Sequence, residues 1–343
     1  MSRIAVLNPT SLLGKELVEA MEERRKLAAE NLRLLSLDET EVGSLVEAAG
    51  AAALVLHAVP AEIEAADVVV VCGELERYRH LLEHRRPGST LLVLDPAADP
   101  SDGVPVVEGV NLGAAATGAS LVSPHPAVVL LALLLRPLAG FGLRAGVATM
   151  VQPVSLFGRP GLDELYEDAR GIVALQGRQP GTLFHRQLAF NLYPAPQQPR
   201  GVAAQLRAVL APEEAPGDVP GGGSPAVAVH VLQGGVFHGL SVLLHVHLDR
   251  EVTAAELRAA LGEQPLIELS EPEAAEEQAD GREGGEDVVG PIDAAATAKV
   301  IVGRVEHDAD GRPGSPAFWI WAVMDNLTRG GALNALAILE RVA

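Results

Sequence analysis

Apolar residues fall in short blocks along the first third of the chain: Arg3-Ile-Ala-Val-Leu-Asn8, Leu32 to Leu37, Asp67-Val-Val-Val-Val-Cys72-Gly73 and Thr90-Leu-Leu-Val-Leu-Asp95. Blocks this short and this apolar, interrupted only by Arg33 and Ser36 in the second, mark strands covered on both faces, as in a parallel sheet. Pro9-Thr-Ser-Leu-Leu-Gly14 between the first two reads as a turn, and Lys15 to Ala29 as an amphipathic helix. The pattern is βαβ from the first residue. It predicts an α/β, Rossmann-like, doubly wound sheet over residues 1–122, with ligands beyond the carboxyl ends of the strands. A strongly apolar helix, Ala127 to Leu135, follows.

From about Gly146 the pattern changes. Ala148–Ser155, Ala226–Gln233, Leu240–Asp249, Val300–Val305 and Ala317–Val323 read as strands, and Asp163–Leu175, Val202–Leu210 and Thr253–Leu261 as helices. Thr253 is placed to cap the last of these, with Glu256 at its third position. Phe184 to Pro194 reads as a loop. Residues 123–324 are therefore expected to form an α+β domain with a mostly antiparallel sheet. Asn326 to Arg341, within a final segment 325–343, should be a helix returning to the first domain. The strands of the second domain are apolar at nearly every position, and its helices are too few to cover two faces, so a homodimer is expected.

A chain of 343 residues is more than one core usually holds, which agrees with two domains. Hydrophobic residues make up 48% and aromatics only 3%, so the cores must be aliphatic. A net charge of −19 argues against nucleic acid or an anionic membrane as partner. The apolar run at 126–135 is too short to span a bilayer, and residues 1–30 read as strand and helix rather than leader. The single Cys72 excludes an internal disulfide and suits a reducing cytoplasm. Pro212–Pro225 and the acid-rich Ser270–Asp287 read as solvated connections.

The stretch laid out for chemistry is Leu121-Val-Ser-Pro-His-Pro-Ala-Val-Val-Leu130, where a helix begins after the α/β region. A helix start can activate a nucleophile or hold an anion. Here Pro126 supplies neither a reactive side chain nor an N–H. The first turn is equally ambiguous. Of the three glycines of a dinucleotide fingerprint only the packing Gly14 is present, with Asn8 and Ser11 in the other places. Asp38 and Glu39, after the second strand, suit ribose hydroxyls and repel a 2′-phosphate. Thr10, Gly73 and Asn326 complete the positions a dinucleotide would touch. Cys72, at the end of a Rossmann strand, reads as a buried, inert thiol. His245 and His247 face one side of a strand, but no carboxylate or cysteine spacing accompanies them, so no metal site is expected.

Leu188-Ala-Phe-Asn-Leu-Tyr-Pro194, Val302-Gly-Arg304 and Asp325-Asn-Leu-Thr-Arg-Gly-Gly-Ala-Leu-Asn334, with Gln152-Pro-Val-Ser155 and Val104-Pro105 through Asn111, stand in the order and spacing of aspartate-semialdehyde dehydrogenases. The resemblance covers essentially the whole chain. It implies an NADP-dependent reduction of aspartyl phosphate through a cysteine thioester, on a dimer built by the second domain. Residue by residue, the resemblance breaks at the chemistry. The nucleophilic cysteine falls on Pro126, and the arginine holding the substrate carboxylate falls on Val231. An acid often found two residues after the family's base falls on Leu240, the basic reader of NADP falls near Glu39, and Asp95 to Val104 contains no base for a phosphate. Gln152 and the family's base, His238, are kept. The pattern resembles a catalytically degenerate paralogue, like the family's Usg branch, retained as a dimeric scaffold with a surface for a further protein partner and no resident cofactor. Two alternatives remain open: an NAD(P)-dependent oxidoreductase with a rearranged site, and a sensor that binds a small ligand in the interdomain cleft.

Overall fold

The structure is a computed structural model that describes residues 2–22, 31–48, 50–175, 181–196, 201–211, 225–270, 289–308 and 316–343. Apart from Pro225 and Ser270, the two expected solvated connections lie outside the described residues, as do residues 23–29 of the first expected helix.

Eight strands make the first sheet: β1 (Ile4–Leu7), β2 (Leu32–Ser36), β3 (Leu45–Ala48), β4 (Ala51–His57), β5 (Val68–Cys72), β6 (Thr90–Leu94), β7 (Val104–Pro105) and β8 (Ser120–Val122). Their order is β3-β4-β2-β1-β5-β6-β8-β7, parallel except for the β3–β4 hairpin. The apolar blocks are continuous because both faces are covered. On one side Val6, Leu34, Val70 and Leu92 meet Leu17, Val18 and Met21 of α1 (Leu12–Glu22) and Leu336 and Leu339 of the last helix. On the other, Leu7, Leu35, Val69 and Val93 meet Ile63 of α2 (Pro60–Glu64) and Tyr78 of α3 (Leu75–Leu82). The hairpin β3–β4 was not expected. Alanine, which opens β4, is a poor strand former, and only Ala48 and Val55 of the pair are buried.

Among the described residues the second sheet has seven strands: β9 (Leu143–Gln152), β10 (Leu192–Pro194), β11 (Ala226–Gly234), β12 (Leu240–Leu248), β13 (Ile267–Leu269), β14 (Val300–His307) and β15 (Ala317–Met324). Their order is β10-β11-β9-β12-β15-β14-β13, and four of the six pairings are antiparallel. One face carries Ala148, Met150, Val242, Leu244, Val246, Phe318 and Ile320. It is covered by α4 (Pro126–Leu138), α6 (Val202–Leu210) and α7 (Ala254–Gly262), the last with the expected Thr253–Glu256 capping box. Residues 126 to 135 of α4 are buried all round, which explains a helix apolar on every side. The opposite face shows Val147, Leu243 and Trp319 to solvent, at 51%, 40% and 38% exposure.

Two helices depart from expectation. The helix expected from Asp163 starts earlier, as α5 (Gly158–Val173). Pro160 lies in its first turn, where a missing N–H is harmless. The terminal helix is a π-helical turn, Thr328–Leu333, followed by α8 (Asn334–Val342). Gly330 and Gly331 let that turn close on its neighbours. A Cβ on Gly330 would stand 2.9 Å from Cβ of Pro126, and one on Gly331 would stand 2.5 Å from Cδ1 of Leu13.

Candidate functional site

A cleft of about 600 Å³ opens where the carboxyl ends of the first sheet meet α5 and the π-turn. Thr10, Asp38, Gly73, Asn326 and Pro126 all line it. Gly14 lies beneath, as the packing glycine: a Cβ there would stand 2.3 Å from the carbonyl oxygen of Asn8. Asn8 takes the left-handed conformation, φ 63°, that a fingerprint glycine supplies elsewhere, and its amide donates to the Cys72 carbonyl at 3.0 Å. Ser11 accepts the Gly14 N–H at 3.0 Å and so caps α1 itself. The Thr10 hydroxyl is buried without a partner among the described residues.

The carboxylates are arranged for local structure. Asp38 accepts from the N–H and hydroxyl of Thr40, bonds that hold its carboxyl below the usual range. Asp95 accepts the Leu75 N–H at the start of α3 and the N–H of Ala97. Glu39 turns away toward His57, at 3.6 Å, and it is Glu41 that reaches the cleft, fixed by the Ser36 hydroxyl at 2.6 Å. Arg77 lines the same end and pairs with Glu74. Neither Glu41 nor Arg77 carries a sequence signal, since each arrives from beyond the strand end. At the other end Leu156 and Phe157 stand in the cleft wall. Cys72 also lines it, but burial pushes its thiol up to about 12, far from thiolate chemistry.

Of the residues expected to surround the reaction, Pro126 lines the cleft, and Gln152, Val231 and His238 are not among the residues lining it. At the start of α4 the amide groups are already committed. His125 is the cap: its Nδ1 accepts the Ala127 N–H at 3.0 Å, and its carbonyl accepts from Val128 and Val129 at 2.7 and 3.3 Å. Pro126 has no N–H, so the first turn offers no free donor to an anion. Complete burial pushes the His125 imidazole down to about 4, so the ring is neutral and its Nδ1 can accept. A cap just before a proline at the first helical position was legible in Ser123-Pro-His-Pro126.

Gln152 is buried and donates to Oε1 of Gln233 at 2.8 Å, while Gln233 donates back to the Gln152 carbonyl at 3.3 Å and to that of Gly234 at 2.9 Å. Val231 points into the core beneath the sheet, and Leu240 does likewise. His238 is half-buried outside the cleft lining, close enough to Glu16 to pull its carboxyl down. Burial outweighs this and the Thr328 hydrogen bond at 3.1 Å, and leaves the Glu16 carboxyl raised. Asn326 is the best anchored of the expected set. Its Oδ1 accepts the Gly239 N–H, and its Nδ2 donates to Ser155 Oγ at 3.0 Å. Among the described residues no group of three or more His, Cys, Asp or Glu is placed to hold a metal ion, and no helix is long and apolar enough to cross a membrane.

A family model described as semialdehyde dehydrogenase, dimerisation domain, matches residues 135–329. The chain is 29% identical to a USG-1 protein homolog of Azotobacter vinelandii, over 98% of this chain and 96% of that one. It is 23% identical to the aspartate-semialdehyde dehydrogenase of Bacillus subtilis (strain 168), again over 98% and 96%. Among solved structures, that of a probable aspartate-semialdehyde dehydrogenase from Pseudomonas aeruginosa superposes with a TM-score of 0.83 at 25% identity, covering 98% of this chain and 97% of that one.

Proposed function

We propose, for a chain that belongs to the semialdehyde dehydrogenase family and resembles its Usg-like members from end to end, a role without catalysis: a homodimeric scaffold that keeps the family's fold and presents a surface to a further protein partner. The observation that carries this reading is the start of α4. Where the resemblance expects a cysteine, Pro126 packs on Gly330, and every amide of the first turn is engaged by His125 or lacks a hydrogen. Acyl transfer needs a nucleophile and free donors for the developing oxyanion. Neither is provided there. The other losses agree, because Val231 and Leu240 are core residues and Gln152 is closed off by Gln233.

A dinucleotide phosphate fits the cleft poorly. Asp38 and Glu41 place two carboxylates at the end where a 2′-phosphate would lie, and Arg77 beside them is already paired with Glu74. The cleft remains open and lined by polar groups, which favours, as a second reading, a small ligand held there without turnover.

The outer face of the second sheet supports the homodimer. Val147, Leu243, Trp319 and their neighbours form an apolar surface with no covering helix among the described residues, in the region matched by the dimerisation model. A second copy of the same face is the self-complementary cover.

The test is direct. Purified protein supplied with aspartate semialdehyde, phosphate and NADP is expected to form no NADPH. Pro126→Cys alone is expected not to rescue it, because the amides of the first turn stay engaged by His125. Sedimentation should give about twice the 35.8 kDa mass of the chain. Phosphate-dependent turnover by the unmodified protein would overturn the reading.

A further inference from the structure

The uncovered face of the second sheet carries an unusual charge inventory for a surface meant to be buried. Its exposed or half-exposed positions on β12 are Leu243, His245 and His247, flanked by Ala145, Val147, Thr149 and Val151 of β9 and by Trp319 and Trp321 of β15, whereas Ser241, Ala317 and Val323 in the same rows are buried. His245 lies 4.3 Å from the Trp319 ring, centroid to centroid, and its Nε2 stands 3.1 Å from a carboxylate oxygen of Asp308. His247 meets His245 edge to face at 4.8 Å and is exposed. The flanking strands β9 and β15 bring neutral side chains opposite β12, and at its end Arg144 of β9 is ion-paired with Asp249, two residues beyond His247. From β14 and the residue after it come Glu306, opposite Trp319 and paired with Arg304, and Asp308; from β11, His230 stands across β9, opposite Thr149. Asp308 is thus matched to His245, whereas His247 has no acidic partner among the described residues.

We infer that the homodimer is acid-labile, with His247 as the group whose protonation opens it. The inference rests on the dimer reading given above. Imidazole is the side chain that changes charge between about pH 5 and 8. A proton on His245 is balanced by Asp308. A proton on His247 puts an unbalanced cation beside His245, on a surface that association strips of water, and the two-fold repeats it in the partner copy. The dimer therefore binds fewer protons than two free chains, and by linkage it weakens as pH falls.

The experiment is sedimentation velocity at about pH 7.5 and about pH 5.5, either side of the imidazole range, with folding followed by far-UV circular dichroism. The dissociation constant is expected to rise at least ~10-fold at the lower pH with the sheet signal unchanged. His247→Gln should hold the dimer at both values, and Asp308→Asn should steepen the response, because it leaves His245 unbalanced as well. The same measurement in a His125→Asn background separates dissociation from acid unfolding of the core. A dimer equally tight at both pH values overturns the inference while leaving the dimer reading intact. A monomer already at the higher pH overturns both. Unchanged acid dissociation in His247→Gln overturns the assignment to this residue.

Discussion

His125→Asn is expected to remove a steep acid sensitivity from the folded protein. In the native chain the imidazole caps α4 through its Nδ1 and is neutral, because burial pushes it down to about 4. In the unfolded chain it takes up its proton near the ordinary imidazole value. The unfolded state therefore binds more protons between these two values. Stability rises with pH across that window, is fully present above it, and is lost as pH falls through it toward about 4. The difference corresponds to about 3 kcal/mol at the acid end, since each pKa unit is worth about 1.4 kcal/mol. Asparagine is a good cap and accepts the same N–H without titrating. Urea unfolding between about pH 7 and pH 4 is the measurement. The unmodified protein should lose that much more stability than the variant, while the two should differ little near neutrality. Parallel pH profiles would mean that His125 is hydrated or protonated in the native state.

Glu108→Ala is expected to destabilise the junction between the first sheet and the π-turn by about 2 to 4 kcal/mol. Arg329, whose side chain is 3% exposed, has its Nη2 2.8 Å from Oε2 of Glu108. Its Nε meets no acceptor among the described residues. Burial already pushes the guanidinium down, against the pull of Glu108. Removing the carboxylate strands a cation in the π-turn that seats Pro126. Replacing both residues, Glu108→Leu with Arg329→Met, should recover most of the loss, because an apolar pair leaves nothing unpaired. Chemical denaturation of the three proteins decides it. If the single variant is as stable as the parent, the ion pair contributes nothing and the packing of Gly330 on Pro126 holds the junction alone.

The amino-acid sequence determined whatever depends on near neighbours and on periodicity. Unbroken runs such as Val68 to Cys72 specify strands covered twice, and the all-round apolar α4 specifies a helix held between two layers. The Thr253–Glu256 capping box is a local fact, as are the proline at 126, which carries no reactive side chain, and the packing demand at Gly14. The ordered motifs also carried the family, because their spacing reflects the fold that separates them. What the sequence did not announce was β3–β4, whose alanines have little preference of their own, and the π-turn, which follows from Gly330 and Gly331 closing on Pro126 and Leu13. It likewise did not announce which distant polar groups meet. Gln152 finds Gln233 because β9 and β11 run parallel in one register, and Glu41 rather than Glu39 reaches the cleft because the turn after β2 points them apart. Glu108 meets Arg329, and His245 meets Asp308, across elements far apart in the chain. Periodicity records that a face is buried, since burial of apolar area is additive along an element. A polar pairing depends on distance and angle at a single point, and only the tertiary arrangement sets those.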